Sequence, residues 1–85
     1  MDHLAGHTRM IEYLKSEILR DPDAEIEPDT PLVSSGMVDS FSLIQVVQEL
    51  EKITALRIPA SKVAPRDLDT VSQMFATATR VGMPR

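Results

Sequence analysis

The chain has 85 residues, with 9 Lys and Arg against 13 Asp and Glu, a formal charge of −4, and no cysteine or tryptophan. So short a chain carries too little apolar surface for two cores, so one domain spanning 1–85 is expected. Lack of cysteine excludes a disulfide framework, a zinc–thiolate site and a thiol nucleophile, and the acidic balance argues against nucleic acid as a partner.

From His3 to Leu19 the apolar residues Leu4, Ile11, Leu14 and Ile18 recur at helical spacing, with Arg9, Glu12, Lys15 and Glu17 largely opposite. Pro22 disfavours helical geometry in the residue before it, which ends this helix at Arg20-Asp21. Residues 21–29 then hold five acidic side chains and two prolines. The stretch from about 20 to 38 reads as a connection without long regular structure, pinned to the core by Leu32 and Val33.

Asp39-Ser40 opens a second helix running to Ile53 or Thr54, with Asp39 as its N-cap. With Leu43 at the centre of a helical wheel, Val46, Val47, Leu50, Ile53 and Thr54 fall within about 80° and form a core stripe. Phe41, Ile44 and Gln48 fall about 100–160° away. Phe41 and Ile44 are therefore expected as exposed apolar side chains unless the long loop covers them.

Leu56-Arg57-Ile58-Pro59 follows, with Pro59 preventing extension of the helix. Short turns are expected at Ala60–Val63 and Pro65–Leu68. The last helix starts at Asp69-Thr70, where Thr70 and Gln73 have capping-box spacing. Val71, Met74, Phe75 and Ala78 form its inward stripe, and Gly82 and Pro84 end it. The expected fold is all-α: a bundle of three main helices plus one short helix, with a long first loop.

Catalysis by this chain alone finds little support. His3 and His7 stand i, i+4 near the N-terminus, and a third metal ligand is not evident. No histidine is anchored near Ser40 to serve it as a base. No apolar run approaches the roughly 18 residues of a membrane span. The N-terminus lacks the apolar stretch of a signal peptide, so the cytoplasm is the expected location. The second helix has Glu49 and Glu51 against Lys52, unlike a basic DNA-recognition helix.

Ser40 stands at the start of the second helix, next to Asp39. A serine beside an aspartate at a helix start is ordinarily a capping residue. Yet backbone N–H groups there are unpaired and the helix dipole is positive, so an attached phosphodiester would be favoured.

The ordered set Asp29-Thr30-Pro31-Leu32, Gly36, Asp39-Ser40, the following helix stripe, Ile58-Pro59 and Asp69-Thr70-Val71 resembles the acyl carrier protein family. The resemblance implies a 4′-phosphopantetheine arm on Ser40, attached by a phosphopantetheinyl transferase that reads Asp39-Ser40. It also implies a thiol delivered on that arm, cargo held as a thioester, and no enzymatic activity of its own. Phe41, Ile44, Gln45 and Gln48 match positions that such carriers present to partners, here a loading ligase and downstream transferases. Leu43, Val46, Val47 and Leu50 match the bundle core. Nothing in the sequence points beyond a monomer.

Three features depart from the commonest fatty-acid carriers. Two residues, Met37 and Val38, separate Gly36 from Asp39-Ser40, where one is usual. Phe41 stands in place of the usual leucine, and Gln45, Gln48 and Lys52 occupy positions often acidic. In this respect the motif is more similar to discrete carriers of aminoacyl groups loaded by adenylating ligases. Fatty-acid or polyketide acyl cargo is the alternative. A helical protein–protein adaptor without a prosthetic group is the reading from another class.

Overall fold

A computed structural model describes residues 3–84, apart from the side chains of His3 and Leu4. Helix α1 spans His3–Tyr13, and the chain then widens into a π turn over Leu14–Ile18. There Leu19 N–H donates to the Leu14 carbonyl at 2.8 Å, and Arg20 turns into left-handed backbone with φ 52°. The stop before Pro22 is where the sequence places it, and the wide final turn moves Ile18 partly off the buried face. Met10 and Leu14 are fully buried, whereas Ile11 and Ile18 are only partly so. Leu4, also expected on that stripe, lies outside the described side chains.

Helix α2 spans Ser42–Thr54 and α3 spans Val71–Val81. Leu43, Val46 and Leu50 of α2 meet Val71, Met74, Phe75 and Ala78 of α3 in one core that also includes Met10 and Leu14. The α2 stripe is narrower than expected, since Val47 and Ile53 are only partly buried. Gly6 lets α1 approach α3 closely: a Cβ there would stand 2.8 Å from the Phe75 ring. Beside it, half-buried His7 meets Phe75 edge-on, with ring centroids 4.7 Å apart. Arg9 and Glu49 add an ion pair between α1 and α2 at 3.6 Å.

The connection between α1 and α2 is long and irregular, as expected, and it is held down at more points than Leu32 and Val33. Ile26, Leu32 and Val38 are all buried. Gly36 supplies left-handed backbone, φ 84°, at the tight turn before Val38.

Two local differences from the all-helical expectation follow α2. Ala55 takes left-handed backbone, φ 58°, and turns the chain into strand β1, Leu56–Arg57. β1 pairs antiparallel with β2, Met83–Pro84, in the register Leu56↔Pro84 and Arg57↔Met83. The two short turns expected before α3 are present as 3-10 turns, Ala60–Lys62 and Pro65–Leu68, in place of one short helix. Pro59 and Pro65 fix φ at their starts, and the extended residues Val63 and Ala64 separate them. Thr70 caps α3 as its spacing predicts, its hydroxyl accepting from Gln73 N–H at 3.0 Å.

Candidate functional site

The site is built at the entry to α2. Asp39 acts as the cap expected of it: its Oδ1 accepts from Ser42 N–H at 2.8 Å. Regular helix begins at Ser42 rather than at Asp39-Ser40, because Ser40 and Phe41 form the turn that leads into it. Asp39 is exposed, and its carboxyl is held below the ordinary carboxylate range. The largest cause is the bond from Ser42 N–H, followed by the Ser42 hydroxyl, with Phe41 N–H adding to it.

Ser40 is also exposed and sits in this turn with no histidine among the residues lining the space beside it. Phe41 next to it is 86% exposed and Ile44, one turn on, is 63% exposed. The long loop therefore covers neither of them. Gln45 and Gln48 are exposed on the same helix.

An open cleft of about 390 Å³ begins at Ser40. Leu43, Ile44, Val47 and Gln48 of α2 line one wall, and Val63, Ala64, Pro65 and Leu68 line the other. The lining is predominantly apolar. The cleft keeps its shape through Glu51, whose Oε2 accepts from Ile58 N–H at 2.8 Å and ties the far wall to α2. Thr77 helps from behind, its hydroxyl donating to the Asp67 carbonyl at 2.9 Å. Sequence reasoning assigned the 60–68 segment no part in the site. Its apolar residues Ala60, Val63, Ala64, Pro65 and Leu68 form no unbroken period that could announce it.

The structure thus brings Ser40, Ile44 and Gln48 to one cleft and leaves Phe41 and Gln45 on the adjoining surface. His7 is elsewhere, against α3, and the His3 side chain lies outside the described residues. Among the described residues no group of three or more metal-ligating side chains converges. No helix among them is long and apolar enough to cross a membrane.

A family model described as "Phosphopantetheine attachment site" matches residues 11–78, which is most of the chain. The chain belongs to this family of carrier proteins. It is a carrier bearing 4′-phosphopantetheine, and it is not itself an enzyme. Its partners include a phosphopantetheinyl transferase and enzymes that load the arm. No curated protein and no solved structure matches the carrier. The residues present fit the group. An exposed hydroxyl, that of Ser40, stands at the positive end of a capped helix beside an apolar cleft.

Proposed function

We propose that Ser40 is the residue that bears the arm, and that Asp39 is read by the transferase that installs it. The observation that carries this reading is the placement of Ser40: an exposed hydroxyl in the turn before α2, at the mouth of the cleft, flanked by exposed Phe41. When bound, the group supplies the thiol that the sequence lacks, on which cargo is held as a thioester. The chain's own residues do the rest. Asp39 fixes the turn, and that turn presents Ser40 away from the core. Phe41, Ile44, Gln45 and Gln48 offer partners a shallow face that can be engaged and left quickly.

For cargo we favour an aminoacyl group placed by an adenylating ligase. The support is the neutral α2 face, with Gln45 and Gln48 exposed, together with Phe41 directly after Ser40. The second reading is a fatty or polyketide acyl group, favoured by the apolar lining of the cleft. Family membership displaces the adaptor without a prosthetic group. We take the chain to act as a single-domain monomer in the cytoplasm.

The deciding experiment is intact mass after incubation with coenzyme A and a broad-specificity phosphopantetheinyl transferase. One phosphopantetheine is expected on the wild type and none on Ser40→Ala, with both proteins folded by circular dichroism. Addition to Ser40→Ala would refute the assignment of Ser40. Subsequent competition between purified aminoacyl- and acyl-adenylating ligases for the free thiol of the installed arm separates the two cargo readings.

A further inference from the structure

One carboxylate far from Ser40 in sequence is tied into the chain that leads up to it. Asp69 precedes the Thr70 cap of α3. Its Oδ1 accepts from the backbone N–H groups of Val33 and Ser34, each at 2.8 Å. Its Oδ2 accepts from the Ser34 hydroxyl at 2.9 Å, and its carbonyl accepts from Leu32 N–H at 2.7 Å. One residue therefore grips three consecutive residues of the long loop.

Beyond that grip the loop closes on itself. The Ser35 hydroxyl donates to the Pro31 carbonyl at 2.7 Å. Gly36 N–H donates to the Val33 carbonyl at 3.1 Å, and Val38 N–H to the Leu32 carbonyl at 2.9 Å. Leu32 and Val38, at the two ends of this closed segment, are both buried. Asp39 and Ser40 follow Val38 directly. Ser40 is thus located from two sides, by α2 after it and by the clasped loop before it. The same bonds hold the Asp69 carboxyl below its usual range, led by Ser34 N–H and then the Ser34 hydroxyl, so it is ionised at neutral pH.

We infer that Asp69 is a positioning residue for the modification of Ser40: by holding residues 32–34 it fixes the exit of the loop, and with it Asp39-Ser40, in the arrangement a phosphopantetheinyl transferase engages. This rests on the assignment of Ser40 above. A released loop samples other arrangements, and the transferase's apparent affinity falls by the fraction of time the engaged one is populated. Asp69 touches neither coenzyme A nor the Ser40 hydroxyl in this scheme; its effect passes through the backbone of residues 32–38.

The test compares kcat and KM for the full-length apo chain as substrate of a broad-specificity transferase, with coenzyme A saturating. Asp67→Ala is the matched control. Asp67 accepts from Ala64 N–H at 2.9 Å and pairs with Arg80 at 3.7 Å, with no bond to the loop. Asp69→Ala is expected to raise KM about tenfold with kcat within about twofold, following the loss of the engaged population. Asp69→Asn keeps an acceptor oxygen and is expected to recover most of that loss. Amide hydrogen exchange should quicken at residues 33–40 in Asp69→Ala and not in Asp67→Ala. An unchanged KM in folded Asp69→Ala overturns the inference, and so does an equal rise in Asp67→Ala. If Asp69→Ala does not fold, Asp69→Ser, whose shorter side chain cannot hold the Val33 and Ser34 N–H groups together, is judged by the same KM criterion. A wild-type chain that accepts no phosphopantetheine refutes the assignment of Ser40 itself, and the positioning role falls with it.

Discussion

Ile44 and Leu50 lie on the same helix, less than two turns apart, and their truncations are expected to separate docking from folding. Leu50 is fully buried, and Leu→Ala at such a site costs about 2–5 kcal/mol. A domain of this length holds about 4–13 kcal/mol in total, so Leu50→Ala removes a large part of its stability. The melting temperature should fall by at least about 8 °C. Ile44 is 63% exposed, so little more than a third of its surface is covered. Complete burial of such a side chain is worth about 1.5–3 kcal/mol, which leaves about 0.5–1 kcal/mol for the covered part. The better helix propensity of alanine offsets some of that, and the melting temperature should move by no more than about 5 °C. Urea and thermal unfolding supply the stabilities, and transferase kinetics on the same preparations supply KM. Ile44→Ala should raise KM while remaining folded. A stability loss above about 2 kcal/mol would place Ile44 in the core and refute the geometry. An unchanged KM would remove it from the face the transferase uses.

Two further outcomes follow from backbone and charge. Gly36 has φ 84° with open space where a Cβ would stand, so Gly36→Ala should cost about 1–2 kcal/mol from backbone strain alone, read by urea denaturation. Asp39 and Asp69 both have depressed native values, so their contribution is complete above the ordinary carboxylate range. It is lost as pH falls through the depressed native values. Wild-type stability should therefore decline below about pH 4, and Asp69→Asn should flatten that decline.

What could be read from the sequence was what depends on spacing along one element. The apolar period of α2 predicted buried Leu43, Val46 and Leu50 and exposed Phe41 and Ile44, and the structure has them so. Thr70 announced its cap because both partners lie within one turn of α3. Asp39 announced its cap for the same reason, although the turn at Ser40-Phe41 delays regular helix to Ser42. Contacts between distant residues left no such trace. The pairing of Leu56–Arg57 with Met83–Pro84 is made by backbone groups, which every residue except proline supplies equally. Asp69 resembled any acidic residue at a helix start, yet its side chain serves Val33 and Ser34. The π turn at Leu14–Ile18 shifted the inward face by a fraction of a turn, which a fixed helical period cannot register. The cleft arises between α2 and a segment with no periodicity, so only the assembled chain displays it.

The side chains around Ser40 on the α2 surface (Phe41, Ile44, Gln45 and Gln48) carry no formal charge. These four side chains give partners no long-range electrostatic steering, which leaves exposed Asp39 as the charge beside Ser40, and encounter proceeds near the neutral rate of about 10⁵–10⁶ M⁻¹s⁻¹. At about 10 μM carrier, each enzyme would be visited about 1–10 times per second, close to the turnover of about 10 s⁻¹ typical of enzymes. Supply of carrier, rather than chemistry on the arm, then sets the flux, and raising the salt concentration should change that flux only modestly, by screening Asp39.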